Sequence, residues 1–383
     1  MNVLIFASDN DKASGAFRSM ARMAYYLKTL GTNVYIVISR SGDGVELLDE
    51  YNVPYYMIRS YNWIIRVSEA KSFIKTAELK FKMALNLVAI AKACKLIKEL
   101  KIDIIHVNTS WSYIGAVAAK KCLVPYVWHI REFLEEDQNV QFVDRNYALK
   151  LLNGADKIVC ISQSIRDKYV NLVDNRLLDV IYNGLETSTY LGRKELPFSR
   201  EKLNFLIVGT VCESKGQWQL IEACGLLLQE GFTDFTVKVL GKGKDEYVSS
   251  LKNRCDELGL NGYVEFCGYR NNTEDYYKVA DITFVCSKAE AFGRVTVEAM
   301  MSGSLVIGAD AAATLELIDD KVTGLLYKSG NFNDLAVTIK WTVCNKAEVM
   351  QIAQCGQKYM MDNMSALRNT ECIRKLYCNV LGI

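Results

Sequence analysis

Short, continuously apolar runs separated by helical patterns set the fold of this chain. In the first half they are "NVLIFAS" (2–8), "NVYIVIS" (33–39), "DIIHVN" (103–108), "PYVWHI" (125–130), "KIVCIS" (157–162) and "DVIYNG" (179–184). In the second they are "NFLIVGT" (204–210), "FTVKVLG" (235–241), "VEFCG" (264–268), "DITFVCS" (281–287) and "SLVIGAD" (304–310). A strand with one wet face alternates apolar and polar residues, whereas a strand covered on both faces does not. These runs do not alternate, so they are predicted to be parallel strands. Helical patterns such as "GAFRSMARMAYYLKTLG" (15–31) and "GQWQLIEACGLLLQEG" (216–231) fall between them. The alternation predicts doubly wound α/β architecture.

At 383 residues the chain exceeds one ordinary core, and two domains are expected. "ADKIVCIS" (155–162) and "ADITFVCS" (280–287) echo one another, consistent with two similar halves in tandem. The most polar, least patterned stretch between them is "TSTYLGRKELPFSRE" (187–201), which holds one of three prolines and is read as the linker. The expected domains are 1–190 and 200–360, with a C-terminal helix in 361–383 packing back towards the first. Ligands of such folds bind beyond the carboxyl ends of the strands, which places the expected site in the cleft between domains.

Composition removes several function classes. A net charge of +2 gives no support for nucleic-acid binding. Twelve cysteines without a Cys-x-x-Cys pair indicate neither a zinc site nor a disulfide framework, and fit a reducing cytoplasm as buried small hydrophobes. Only two histidines are present, so no metal centre is expected. Met1 leads straight into "NVLIFAS", which lacks the features of a signal peptide, and no apolar run reaches the length of a membrane span.

"EAFGRVTVEAM" (290–300) places two carboxylates eight residues apart around Phe-Gly-Arg. Glycine is poor inside a helix, so Phe292-Gly293 reads as a helix entrance, with Glu290 in the preceding loop and Glu298 on the second turn. Exposed amides at that helix start would hold an anion, and the two acids would hold hydroxyls at either end of a ligand. A nucleotide sugar has this make-up. Lys215-Gly216 likewise opens a helix after a strand, where a cation beside free amides suits a diphosphate.

Together "VGTVCESKGQWQLIEA" (208–223), "VIYNGLE" (180–186), "VADITFVCSKAEAFGRVTVEAMMSG" (279–303) and "TGLLYK" (323–328) resemble glycosyltransferase family 4 (group 1). The resemblance covers nearly the whole chain. It implies a retaining, metal-independent hexosyltransferase of the GT-B fold, with two Rossmann-like doubly wound domains facing across a cleft. It implies a nucleotide-sugar donor, most simply UDP-linked, and no cofactor. Lys215 would bind the diphosphate, Glu298 the ribose, and Glu290 the sugar. Backbone around Ala291, Phe292 and Gly293 would hold phosphate and sugar hydroxyls. The family often carries an arginine where this chain has Thr210; Arg294, Lys242 or Lys244 would have to supply that charge.

In the first half, the family's paired glycines correspond to Ser14-Gly15 in "ASDNDKASGAFRSM" (7–20). Gly15 would admit donor phosphate and acceptor, with Asp11 and Ser14 on the acceptor side. Asp9 and Asp11 also invite a metal reading, but Asp and Asn are ordinary loop formers. His129, in "PYVWHIRE" (125–132), matches the family histidine that touches the donor sugar near the reacting carbon. His106 reads as structural or supporting. The acceptor implied by the family's habits is a saccharide or lipid-linked saccharide of a bacterial capsule or exopolysaccharide.

Between 59 and 101 stand ten basic residues against Glu69, Glu78 and Glu99, with Tyr55, Tyr56, Tyr61 and Trp63 among and before them. A basic helix flanked by aromatics is expected to lie on an anionic membrane surface, making the protein peripheral on the inner face. Two rival readings are a GT-B sugar epimerase and a non-enzymatic nucleotide-binding protein. The acid motif argues against the first. The second would want Gly-x-Gly-x-x-Gly after the first strand, where "ASDNDKASG" stands instead.

Overall fold

A computed structural model describes residues 1–193 and 197–383. The chain divides into two compact units, Met1–Gly184 with Ala366–Ile383, and Leu185–Ser365.

The first unit contains β1 (Asn2–Phe6), β2 (Asn33–Ile38), β3 (Tyr55–Met57), β4 (Ile64–Arg66), β5 (Ile104–Asn108), β6 (Tyr126–Ile130), β7 (Val140–Phe142), β8 (Lys157–Cys160) and β9 (Leu178–Val180). Seven form a parallel sheet in the order β3-β2-β1-β5-β6-β8-β9. All of β5 and β6 is buried, as the unbroken apolar runs require. β4 and β7 pair separately and antiparallel, Ile64 opposite Phe142. The helix Gly15–Thr29 covers one face with Phe17, Met20 and Leu27. The last helix, Ala366–Leu381, adds Ile373, Leu376 and Tyr377 to the same core.

The second unit has β10 (Leu203–Val208), β11 (Phe235–Leu240), β12 (Val264–Gly268), β13 (Ile282–Val285), β14 (Leu305–Ala309) and β15 (Leu325–Tyr327), all parallel, in the order β12-β11-β10-β13-β14-β15. Phe205 stacks on Phe235 at 5.4 Å and meets Phe284 edge-on, which centres the core on β10.

The sheets share one logic. From β1 the chain builds outward to β3, then returns to the other side of β1 at β5. From β10 it builds to β12, then returns at β13. Each return is a switch point, where loops on either side diverge and open a crevice beyond the strand ends.

Two expectations need correction. The first unit ends at Gly184 rather than at 190, and the stretch read as a linker joins the second unit. Its residues Thr187–Tyr190 form a short helix whose Tyr190 is buried and donates to Glu298 at 3.0 Å. Residues 194–196 of that stretch lie outside the described residues. All twelve cysteines are free thiols, but only five are buried; Cys344, Cys355 and Cys372 are exposed.

Candidate active site

In the second unit, the loops leaving β10 and β13 meet at the switch point. After β10 a single 3-10 turn, Glu213–Lys215, ends at Gly216, which caps the helix Gln217–Gln229 with φ +69°. A Cβ at Gly216 would stand 2.3 Å from the Cys286 carbonyl oxygen and 2.4 Å from Gln219 Nε2. Glycine is therefore required by both backbone conformation and space. After β13 the chain runs through Glu290 to Gly293, at φ +76°, which caps the helix Arg294–Met301. Neither helix start has a side-chain cap, so the first amides keep their donors free for a ligand.

Lys215 and Glu290 lock the two loops together, with Nζ to Oε1 at 2.9 Å and both side chains about four-fifths buried. The Lys288 amide donates to the Ser214 carbonyl at 3.2 Å. Gln219 fastens the base of the site: its Nε2 donates to the Cys286 carbonyl, and its Oε1 accepts from Tyr327 Oη and the Gly330 amide.

Glu298 sits on the second turn of its helix, as expected, but in a buried cage. Oε1 accepts from Arg294 Nε at 2.6 Å and Tyr190 Oη at 3.0 Å, and Oε2 accepts from Tyr277 Oη at 3.0 Å. Burial, with the Glu298 charge beside them, pushes both tyrosine hydroxyls above their usual range. A carboxylate offers about four acceptor positions, so Oε2 keeps one for a further donor. Arg294 is thus engaged by Glu298 rather than free to replace a missing arginine at exposed Thr210. The loop of Lys242 and Lys244 is bonded to this segment, the Val211 amide donating to the Lys242 carbonyl at 2.8 Å. Both lysines are exposed; Lys242 lies 5.8 Å over the Tyr269 ring, and Lys244 has no ion pair among the described residues.

In the first unit, the loops after β1, β5 and β6 surround a cavity of about 610 Å³ at the other switch point, lined by Asp9, Asp11, Ser14, Trp111 and Glu132, with Arg40 and Arg66 at its edge. Ser14 caps the first helix, which begins at exposed Gly15, and its hydroxyl donates to Asp9 Oδ2 at 3.2 Å. Asp11 Oδ1 accepts from the Ala13 amide at 2.8 Å. Both aspartates therefore shape their loop, and burial raises Asp9. No group of three or more metal-ligating side chains stands together among the described residues. Arg40 and Arg66 have no side-chain partner there. Glu132 is buried, accepting from the Ser110 amide at 2.5 Å, and its burial pushes it up to about 7.

His129 lies at the carboxyl end of β6 and is fully buried. Its Nδ1 is 3.2 Å from His106 Nε2 and 3.2 Å from Arg131 Nη2, while its Nε2 has no partner. Burial, with the Arg131 charge, holds it well below the usual histidine value and so neutral.

The geometry agrees with the comparisons. Residues 13–189 match the family model "Glycosyltransferase Family 4", and residues 192–359 match "Glycosyl transferases group 1". The chain belongs to the group 1, family 4 glycosyltransferases.

Relatives include an uncharacterized glycosyltransferase of Methanocaldococcus jannaschii, 27% identical over 69% of this chain and 72% of that protein. The alpha-monoglucosyldiacylglycerol synthase of Streptococcus pneumoniae is 27% identical over 62% of this chain and 58% of its own. The UDP-Gal:alpha-D-GlcNAc-diphosphoundecaprenol alpha-1,3-galactosyltransferase of Escherichia coli is 22% identical over 81% of this chain and 84% of its own. HepE from Anabaena, solved in complex with UDP and glucose, is similar in fold with a TM-score of 0.79, at 22% identity over 99% of this chain and 100% of that one. That likeness gives the glycosyltransferase its fold, GT-B.

Several residues of this glycosyltransferase's site carry no local signal in the sequence. Tyr190 and Tyr277 approach Glu298 from 108 and 21 residues away. Arg131 and Glu132 follow His129 after Ile130, and their roles depend on Asn108, Asn183 and Ser110 across the unit.

Proposed function

We propose that this glycosyltransferase moves a hexosyl group from a UDP-sugar to a lipid-linked saccharide, with retention of configuration, at the cytoplasmic face of a membrane. The observation that carries the reading is the Lys215–Glu290 pair between two helix starts capped by left-handed glycines. Free amides and a cation suit a departing diphosphate, and an acid beside them suits sugar hydroxyls. In this reading the amides of Ala291, Phe292 and Gly293 hold phosphate and sugar, and Oε2 of Glu298 takes a ribose hydroxyl. Lys244 supplies the charge that Thr210 lacks, since Arg294 is engaged. His129 Nε2 meets the donor sugar. The bond from the anomeric carbon to phosphate breaks while one to the acceptor oxygen forms on the same face, and the acceptor's proton passes to the departing phosphate. No metal is required.

Two relatives named for lipid or lipid-diphosphate acceptors support the acceptor class. So does the first unit's cavity. There Arg40 and Arg66 suit an acceptor's phosphates, Trp111 suits a sugar face, and the acceptor hydroxyl lies near Asp11, Ser14 and Gly15. Capsule or exopolysaccharide synthesis is the matching role. The membrane reading also rests on the helix Phe73–Glu99, which exposes Phe73, Ile74, Phe81, Leu85 and Val88 among its lysines. Trp63 plays no part in it, being fully buried against Tyr113 and Trp128.

A thermal-shift screen of UDP- and GDP-sugars, followed by a transfer assay with EDTA, tests the proposal. Stabilisation by a UDP-sugar and transfer unaffected by chelator are expected. Stabilisation by none of them, or activity restored only by a divalent ion, would overturn it.

A further inference from the structure

The only two histidines of the chain stand in one buried line with a tyrosine from its last helix. Tyr377 Oη is 2.7 Å from His106 Nδ1, across 271 residues of sequence. His106 Nε2 is 3.2 Å from His129 Nδ1. All three side chains are inaccessible to solvent.

The direction of each hydrogen bond follows from the donors available. A guanidinium can only donate. Arg131 Nη2 meets His129 Nδ1 at 3.2 Å, so that nitrogen is an acceptor and carries no proton. His106 Nε2, facing the same bare nitrogen, must then be the donor. Burial holds His106 down to about 3, with Arg131 adding to it, so the ring is neutral with one proton, and its Nδ1 is bare. Tyr377 therefore donates its hydroxyl hydrogen to His106. His129, also neutral, keeps its single proton on Nε2, the one ring nitrogen with no partner among the described residues.

Arg131 is itself fixed, its Nε donating to Asn108 Oδ1 at 2.7 Å and its Nη1 to Asn183 Oδ1. Two supports thus converge on His129 Nδ1, and both leave Nε2–H as the free end. A buried N–H without an acceptor is costly, which makes it a donor waiting for a ligand oxygen.

We propose that Tyr377 is a positioning residue for His129: through His106 it adds, beside Arg131, the second support that holds the imidazole with Nε2–H presented to the substrate. The substrate end of this statement rests on the donor-sugar role given to His129 above. The Tyr377–His106–His129 relay stands apart from it.

Long-range proton–nitrogen spectra of the full chain test the relay, since two histidines give two readily separated spin systems. At pH 7 wild type should show both rings neutral, with Nε2 protonated and Nδ1 bare. Tyr377→Phe removes the donor that defines His106 Nδ1 as an acceptor. His106 should then become a mixture of tautomers, while His129, still held by Arg131, keeps Nδ1 bare but loses one of its two supports. The kcat should fall roughly 10-fold while KM changes less, the order seen when a metal-bound imidazole loses its outer partner. His106→Gln retains both ends of the relay, its amide oxygen accepting from Tyr377 and its amide nitrogen donating to His129. The His129 tautomer, held by Arg131, should survive both that change and His106→Leu, whereas kcat should be kept in the first and fall in the second.

A wild-type His129 protonated on Nδ1 overturns the proposal, even if no variant folds. So does a Tyr377→Phe enzyme with unchanged tautomers and kcat. The spectra need no substrate. Absence of transfer from every nucleotide sugar, with the expected tautomers in place, supports the relay and strikes only the transferase reading.

Discussion

Lys215 Nζ lies 2.9 Å from Glu290 Oε1, so the two sequence motifs that flank β10 and β13 meet as an ion pair. In the free enzyme each charge satisfies the other at the mouth of two helix starts. On the proposed reading, an arriving diphosphate would draw on the same ammonium without requiring it to move far, because Glu290 already holds it there. Lys215→Ala should therefore fold but transfer about 10²-fold more slowly, the size of effect expected when a contact to developing oxyanion charge is removed. Steady-state rates at saturating donor measure it, and a rate within a few-fold of wild type would exclude Lys215 from the chemistry.

Glu290→Gln and Glu298→Gln should part company. Glu298 neutralises Arg294 in a buried cage and accepts from two tyrosines. Its amide replacement turns one acceptor into a donor facing donors, at a cost of about 2 kcal/mol or more in stability, and should also weaken UDP. Glu290 has no role in that cage, and a glutamine can still accept from Lys215 Nζ, so its amide should lower UDP affinity and melting temperature less than Glu298→Gln does while slowing transfer. Calorimetry with UDP alone separates the pair; equal losses of affinity would refute the assignment.

The sheets were legible because burial on both faces leaves an unbroken apolar run, as in "DIIHVN" and "SLVIGAD". The strands β3, β4, β7 and β15 were not, since each has three residues and β4 ends on exposed Arg66. Glu290, Lys215 and Gly293 were legible because helix entrances carry local signals of glycine and charge. The cage around Glu298 and the relay behind His129 were not, because Tyr190, Tyr277 and Tyr377 are ordinary tyrosines until the fold brings them to their partners. Trp63 misled in the other direction: an aromatic beside a basic stretch looks interfacial, yet its indole N–H is satisfied by the Ser110 carbonyl at 2.7 Å inside the core.

Glu132 should give stability a pH dependence of defined sign. Burial raises its folded value to about 7 from 4.5. The folded state thus holds a proton that the unfolded chain releases above pH 4.5, and this contribution is present at low pH and lost as pH rises towards 7. The span corresponds to about 3 kcal/mol. His106 acts oppositely, since its folded value of about 3 makes the native state lose stability as pH falls below 6.5. Subtracting Glu132→Gln from wild type isolates the carboxyl. In urea titrations, wild type should lose stability relative to the variant between pH 4.5 and 7. A constant difference across that range would show that Glu132 titrates normally.

The helix Phe73–Glu99 should bind anionic membranes through its first half. With about 100° of rotation per residue, Phe73, Ile74, Phe81, Leu85 and Val88 fall within roughly 120° of its circumference, and exposed Leu87 lies about 40° beyond that arc. Phe73 is 86% exposed and Phe81 67% exposed. In its second half, Ala89, Ile90, Ala93, Leu96 and Ile97 face the core from the other side. The two apolar faces cancel in any average over the whole helix, which hides the amphipathic character of the first half. Lys80 borders the exposed face, Lys82 and Lys75 lie further round the helix, and Lys71 just precedes it. Each lysine near an anionic surface contributes on the order of 1 kcal/mol, screened within roughly 10 Å in ordinary salt. No helix among the described residues is long and apolar enough to cross a membrane. Co-sedimentation with anionic vesicles at low salt should be strong, and weak with neutral vesicles or at high salt. Replacing the four lysines by serine should abolish the salt-sensitive part, and Phe73→Ser with Phe81→Ser should remove the remainder. Wild type left in the supernatant beside anionic vesicles at low salt would end the membrane reading and turn the search towards a soluble saccharide acceptor.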